Sequence, residues 1–391
     1  MSLFLFDDQF RSHFQPLTLT RSISEIRLGI HTLKERWEQV MGQECQIISE
    51  DYLRNIPLNF KTTQLYINAR ALPTDVLVSE INALEEGQGI FKDALLVAFK
   101  SETQFTFGKT EPKDLKRINS KCKFSPLTKI TDLFSRNEEM INLDFGRLDK
   151  ADGVQLPSHC TLIGDPTLIY VHPTAKVFGA CFNTNSGPIY LGPNSEVMEG
   201  SVVRGPFVLC NSSTLKLGAK VYGATTIGPH SKVGGEVSNS LVLGYSNKGH
   251  DGFMGNSIIG EWCNLGADTN TSNLKNNYSN VRVWSYATEQ MEDTGLVFCG
   301  LIMGDHSKCS INTMFNTGTV VGVNANIFGS GFPPKFVPSF TWGGGESFST
   351  YKFEKAIETA EKVCARRKIE LSVSQKNILK KIFDSTSHFR K

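Results

Sequence analysis

Residues 191–233 read LGPNSEVMEGSVVRGPFVLCNSSTLKLGAKVYGATTIGPHSKV, and every sixth residue is aliphatic: Leu191, Val197, Val203, Leu209, Leu215, Val221, Ile227 and Val233. An α-helix has a period of 3.6 and a strand a period of 2, so neither produces this step. Short strands joined by tight corners do, each sending one aliphatic side chain inward. Three six-residue units then close one triangular coil, and coils stack at about 4.8 Å, the spacing of paired strands. Each coil buries its inner face only against its neighbours, so many coils are needed. This stretch predicts a parallel β-helix.

The step extends in both directions. A second run is Val297, Met303, Cys309, Phe315, Val321 and Ile327. Phe253, Ile259 and Leu265 keep the same step between the runs, and Ile163 and Ile169 begin it. The β-helix is therefore expected over residues 160–345. It breaks twice, at 239–252 and at 268–296, where Asn and Gly accumulate. Both segments read as loops leaving the coils, and in a rigid solenoid such loops are where sites are built.

The first 150 residues have another pattern. Leu3–Phe6, Gln46–Ser49, Gln64–Asn68 and Ala94–Phe99 read as buried strands. Ser22–Met41 and Thr74–Glu86 have helical spacing with Ser and Thr-Asp at their starts as caps. Alternation of strands and helices implies an α/β domain over 1–150 with a mainly parallel sheet. Residues 101–159 are less regular and link this domain to the coils. From Tyr351 the chain reads as a helical pair, with Phe353, Ile357, Ala360 and Val363, then Ile378, Leu379 and Ile382 on its apolar side. This tail, residues 350–391, is expected to cap the open end of the β-helix.

Composition narrows the classes. Against 39 acidic residues stand 41 basic ones, a formal charge of +2 that provides no field for nucleic acid or a membrane surface. Met1–Phe6 followed by Asp7 and Asp8 lacks the basic start of a signal peptide, and no apolar run approaches the ~18 residues of a membrane span. Nine cysteines are scattered without a CxxC pair or a metal-ligand spacing. They read as reduced core thiols, and the location expected is cytoplasmic.

Gly249-His250-Asp251-Gly252-Phe253-Met254-Gly255, then Asn264-Leu265-Gly266-Ala267-Asp268-Thr269 and Asn273, resembles one family. It is similar to the acetyltransferase half of the bifunctional UDP-N-acetylglucosamine pyrophosphorylase/glucosamine-1-phosphate acetyltransferases. That resemblance implies a left-handed β-helix assembled as a homotrimer, with acetyl-CoA held between neighbouring coils. It also implies an amino-sugar phosphate as acceptor, in the synthesis of UDP-N-acetylglucosamine. His250 would be the base that deprotonates the sugar amine as it attacks the thioester, with Asn264 and Asn273 as polar contacts. A histidine, with its ordinary pKa near ~6.5, suits that proton transfer. Acetyl-CoA would lie along 311–327, where Asn312, Thr313, Asn316 and Thr317 sit between inward residues.

Several family positions differ. The Tyr three places after the histidine is Phe253, and the Asp closing that motif is Asn256. The Arg that holds the sugar phosphate falls at Leu209, and a family Lys falls near Asn239. Phosphate would then be held by other cations, with Arg204, Lys248, Lys275 and Arg282 as candidates.

Near the start, Pro16-Leu17-Thr18-Leu19-Thr20-Arg21, with Gly29 further on, resembles the segment after the phosphate loop of sugar nucleotidyltransferases. The glycine-rich loop itself is Phe6-Asp7-Asp8-Gln9-Phe10-Arg11-Ser12-His13 here, and a following family Lys is Ile23. Glycines let backbone N–H groups approach phosphates, whereas two carboxylates oppose a triphosphate unless Mg²⁺ bridges them. Asp7, Asp8, Arg11 and Arg21 would form a variant site for UTP, with Arg27 as a further cation and Asn68 where the family has a metal-binding Asp.

Three functions are thus in play. The first is acetyl-CoA-dependent N-acetylation of an amino-sugar phosphate, with His250 as base. The second is uridylyl transfer to a sugar 1-phosphate, alone or in a bifunctional enzyme. The third is a trimeric scaffold or regulatory protein without catalysis, which the missing phosphate ligands favour.

Overall fold

The structure, a computed structural model, describes residues 2–53, 62–103, 105–108, 114–345 and 347–390. It divides into two compact units, Met1–Ile26 with His31–Ile130, and Arg27–Ile30 with Thr131–Lys391.

In the first unit, β1 (Leu3–Phe6), β2 (Cys45–Ile48), β3 (Gln64–Asn68), β4 (Gln88–Lys92), β5 (Leu95–Ser101) and β6 (Lys116–Asn119) form one sheet in the order β2-β1-β3-β5-β4-β6. β1 runs parallel to β2 and β3, and β6 runs parallel to β4. β5 runs antiparallel to both of its neighbours. Leu3 and Leu5 enter one core and Phe4 and Phe6 another, so β1 is buried on both faces and reads as an unbroken apolar run.

The helix expected over Ser22–Met41 begins only at Leu33. Ser22 does cap a helix, but it is the single 3-10 turn Ile23–Glu25. Thr32 starts a second cap, accepting from the Glu35 backbone, and α1 (Leu33–Met41) runs from there to Gly42 at φ +65°. α2 (Asp75–Asn82) starts where expected, capped by the Thr74 hydroxyl.

The second unit is built on the expected parallel β-helix, whose strands form three parallel sheets in turn. Its three faces carry the strands in turn: Ile189–Leu191 on face one, Glu196–Val197 on face two and Val202–Arg204 on face three. Inward ladders then run through register partners. Leu191, Leu209 and Ile227 stack on face one; Val197, Leu215 and Val233 stack on face two; Phe182, Val203 and Val221 stack on face three. All are buried in one continuous core. Burial of each such side chain contributes about 1.5–3 kcal/mol.

The two interruptions differ from expectation. Residues 239–252 do not leave the coil. Leu241–Gly244 and Asn247–Lys248 are rungs of faces one and two, paired below with Thr226–Ile227 and Lys232–Val233. The coil here is only shorter: Ser246 meets Ser231, 15 positions back, where a full coil is 18, as between Ala325 and Ser307. Trimmed corners shift the phase, so Met254 rather than Phe253 faces inward. In the second interruption, Asn270–Thr271 is still a rung. The chain then departs into a hairpin, Arg282–Ser285 against Gln290–Asp293, and rejoins face one at Ile302–Met303. Trp284 on this hairpin stacks on Phe336 at 4.2 Å.

Longer helices pack on the coils. α3 (Asn137–Arg147) lays Ile141 against Val208, Cys210 and Ala224 on the outside of face one. Its Asn137 side chain donates to the Ala224 carbonyl at 3.0 Å and accepts from the Gly29 N–H at 2.8 Å. α4 (Phe353–Ala365) and α5 (Val373–Ser385) meet the last corner, where the Phe340 ring lies 5.0 Å from Phe383 and 6.1 Å from Phe353. The tail is the expected helical pair.

Candidate functional site

The corner between faces two and three carries His250. Along this corner lie Lys216 and Leu217, then Gly234 and Gly235, then Gly249–Asp251, then Ala267 and Asp268, one set per coil. Together they line an open cleft of about 390 Å³. Glycine at three of these positions, Gly234, Gly235 and Gly249, keeps side chains out of the cleft. Gly252 is required by the bend: it sits at φ +111°, and a Cβ there would come within 2.2 Å of the Thr269 carbonyl oxygen.

His250 is exposed at the rim, flanked by Asp251 and, on the next coil, Asp268, both also exposed. The two corners are tied together, since the Asp268 N–H donates to the Asp251 carbonyl at 3.1 Å. Asn270 orders the same edge: it accepts from the Phe253 N–H at 2.8 Å and donates to the Asp268 carbonyl at 3.0 Å. An imidazole beside two carboxylates suits a cationic or amine-bearing ligand.

Lys248 is not at the surface. It takes an inward position on face two between Val233 and Leu265, and is 3% exposed. Its ammonium donates to the carbonyl oxygens of His250 at 2.5 Å and Asp251 at 3.1 Å. Burial pulls its pKa down to about 8, against the opposing pull of Asp251, Asp268 and Cys309. It is engaged within the coil, where a substrate phosphate would not reach it.

The other sequence candidates separate into groups. Asn264 is exposed on the strand that leads into the Ala267–Asp268 corner, on the coil after His250. Asn312 lies one corner further, its N–H donating to the Ala267 carbonyl at 2.8 Å. Thr313 beside it is buried and donates to Ser310. Asn273, Asn316, Thr317 and Arg204 belong to the opposite end of face three. Asn273 donates there to Asn256 at 2.8 Å, and Asn256, Asn239 and Phe298 border a separate cleft of about 330 Å³. Arg204 is exposed and, through Tyr222 and Ser238, stands three coils before Gly255, roughly 14 Å at the strand spacing. Lys275 donates to Ser279 and to the Asn280 carbonyl within its own loop, and Arg282 donates to the Met291 carbonyl across its hairpin. The chain thus brings His250 together with Asp251 and Asp268, not with Asn273 or the four cations as free ligands.

In the first unit, Asp7 is 1% exposed and accepts from Ser22 Oγ at 2.9 Å, the Ile23 N–H at 3.0 Å and Ser49 Oγ at 2.5 Å, with Arg11 at 3.3 Å. Burial outweighs these donors and raises its pKa to about 6. Arg11 is buried and donates to the carbonyls of Thr18 and Arg21; Arg21 is buried too. Asp8 is clasped by Arg70, with Asn68 donating to it at 2.9 Å. Both carboxylates are already engaged by donors within the unit, a set that does not fit a Mg²⁺ ion without displacing Arg70. Among the described residues, no three or more His, Cys, Asp or Glu side chains gather as a metal would require, and all nine cysteines are free thiols. No helix among them is long and apolar enough to cross a membrane.

Asp251, beside Gly252, and Asp268, two places after Gly266, stand within the corner motif without an expected role, and so does Lys216 on an earlier coil.

Comparison with known proteins gives both halves a likeness. Residues 3–152 match the family model for sugar nucleotidyl transferase. The bifunctional protein GlmU of Methanocaldococcus jannaschii is 36% identical over 89 residues, 23% of this chain and 21% of that protein. GlmU of Synechococcus sp. is 26% identical over 195 residues, 46% of this chain and 38% of that protein. The chain therefore spans well under half the length of these relatives, and its resemblance is to GlmU-like bifunctional proteins. Among solved structures, a hexapeptide transferase family protein from Anaplasma phagocytophilum is similar at 14% identity and TM-score 0.25, over 57% of this chain and 96% of that one. An Arabidopsis UDP-N-acetylglucosamine acyltransferase is similar at 15% identity and TM-score 0.22, over 61% and 99%.

Proposed function

We propose that this protein is an acyl-CoA-dependent N-acyltransferase of an amino-sugar phosphate, with acetyl-CoA as donor, and that His250 is its base. The observation that carries the reading is the exposed His250 imidazole at a glycine-floored cleft, flanked by Asp251 and Asp268. Two carboxylates attract a protonated amine, which gives up its ammonium proton to solvent before it reacts. The amine nitrogen then attacks the thioester carbonyl carbon. A C–N bond forms and the C–S bond breaks; His250 takes the proton shed by nitrogen, and the sulfur leaves as a thiolate that takes this proton from the imidazolium and becomes the free thiol. A placed general base contributes about 10²–10⁴ to such a rate.

The sugar phosphate would lie away from the acidic rim. Arg204, Lys275 and Arg282 remain candidates for it only across an assembly, because one chain holds them elsewhere. A homotrimer belongs to the same reading, and light scattering at three times the chain mass checks it.

The deciding experiment incubates the full chain with acetyl-CoA and glucosamine 1-phosphate and measures free CoA. Thiol release that depends on both substrates and collapses in His250→Ala supports the reading. No release, or release unchanged in that variant, overturns it.

The family match over 3–152 favours a second activity, nucleotidyl transfer by the first unit. Pyrophosphate release from UTP and a sugar 1-phosphate tests it. The internal engagement of Asp7, Asp8 and Arg11 weighs against a nucleotide site built from those residues.

A further inference from the structure

Lys248 occupies a position that every neighbouring coil gives to an apolar side chain. Leu215 and Val233 precede it on the face-two ladder, and Leu265, Cys309 and Ile327 follow. A lysine in an apolar ladder sacrifices packing and desolvates a charge, so something local must offset that penalty. The offset is visible. The stem fills the ladder position, and the ammonium turns to the two carbonyls of the corner that follows, His250 at 2.5 Å and Asp251 at 3.1 Å.

We propose that Lys248 is a positioning residue whose buried ammonium fixes the His250–Asp251 corner and so sets where the imidazole stands in the cleft. The inference rests on the reading of His250 as the base, but it concerns a different residue acting through backbone. That corner has much freedom to restrain. It is built from Gly249, His250, Asp251 and Gly252, two of them glycines with a large freedom to lose. Without the ammonium the His250 carbonyl would lose its donor, and the Asp251 carbonyl would keep the Asp268 N–H. A charged donor holds a carbonyl about twice as strongly as a neutral one.

The ionisation of Lys248 gives the arrangement a pH signature. Burial depresses its pKa to about 8, while Asp251 on the same corner, Asp268 on the next and the Cys309 thiol beyond act to raise it; His250 and Lys216 line the cleft outside. Above that pH the ammonium becomes an amine, and its hold on the two carbonyls weakens.

Lys248→Met in the full chain is the test, because methionine matches the stem and suits the ladder. Three readouts are compared with wild type: thermal midpoint, amide exchange of a peptide spanning 249–252, and kcat and KM for CoA release between pH 6.5 and 9.5. The expected result is a thermal midpoint equal or higher, exchange at the corner at least about tenfold faster, and peptides from Val197–Val233 unchanged. With it, kcat falls at least tenfold with KM within about twofold, and the wild-type decline above pH 8 is absent from the variant. Unchanged corner exchange with an unchanged kcat profile overturns the proposal. So does a rise in KM for the sugar phosphate at constant kcat, which makes Lys248 a ligand. If wild type releases no thiol at all, the acyltransfer reading fails by itself, and the exchange measurement still decides whether Lys248 holds the corner.

Discussion

Arg70 clasps Asp8 with its Nε 3.0 Å from both carboxylate oxygens and its Nη2 2.5 Å from one of them, across 62 positions of sequence. Arg70 is buried and its Nη1 also holds the Leu127 carbonyl at 2.8 Å, so this side chain joins the end of β1 to the segment that closes the first unit. Arg70→Ala would leave Asp8 and the Leu127 carbonyl without their donor in a largely buried place. We expect a loss of about 2–4 kcal/mol in urea unfolding of the first unit, with the solenoid's transition unmoved.

Asp7 sets a pH dependence of opposite sense to most carboxylates. Its pKa is about 6 when folded, against an ordinary 3.8, so between those values the folded chain binds the extra proton. Stability from this group is present below pH 4 and lost as pH rises through 6. Asp7→Asn keeps an acceptor and removes the titration. The wild type should lose stability relative to Asp7→Asn between pH 4 and 6, on the order of 3 kcal/mol at most. Parallel unfolding curves at pH 4.5, 5.5 and 6.5 measure it; a constant difference would sink the prediction.

Gly252 is a sharper test of the corner than any side chain in it. With φ at +111° and the Thr269 oxygen 2.2 Å from a built Cβ, Gly252→Ala cannot be accommodated without moving the coil above. Calorimetry should show a loss above about 2 kcal/mol, together with loss of CoA release. Gly249→Ala, with open space at its Cβ, should leave stability within about 1 kcal/mol.

Asp251 and Asp268 are expected to act on the substrate rather than on the chemistry. Asp251→Asn and Asp268→Asn should each raise KM for the amino sugar several-fold, more at low salt, since exposed charges are screened over about 10 Å at 0.1 M. His250→Ala should instead lower kcat by about 10²–10⁴. Steady-state kinetics at two ionic strengths separates the two effects.

The sequence made the solenoid plain where corners kept their length, because one inward residue per strand leaves a mark that survives without any contact information. It misled where corners were trimmed. Phe253 fits the original phase, yet Met254 faces the core; the shifted step Val242, Lys248, Met254 was present but hidden by a lysine at its centre. Lys248 looked like a phosphate ligand because a cation near a candidate base invites that reading, and only burial shows which way it points. Asp7, Asp8 and Arg11 looked like a nucleotide site because a motif reports spacing along the chain. Their actual partners, Ser49 and Arg70, lie 42 and 62 positions away. In the same way, Ser22 carried a true cap signal but could not say how long its helix would be.

The hairpin has a consequence for how this scaffold can change. Glu261 donates its N–H to Asp305 at 2.8 Å from 44 positions away, and the rungs on either side meet as closely as those 17 positions apart. Contour length and spatial neighbourhood are decoupled at this corner, since the closure penalty of a flexible excursion grows only with the logarithm of its length. The pairing of the rungs therefore sets no length on what is grafted there, and the excursion is held by contacts of its own, such as Trp284 on Phe336. A lineage could lengthen, trade or delete the excursion while the His250 corner, several residues of chain earlier and on another edge, kept its geometry.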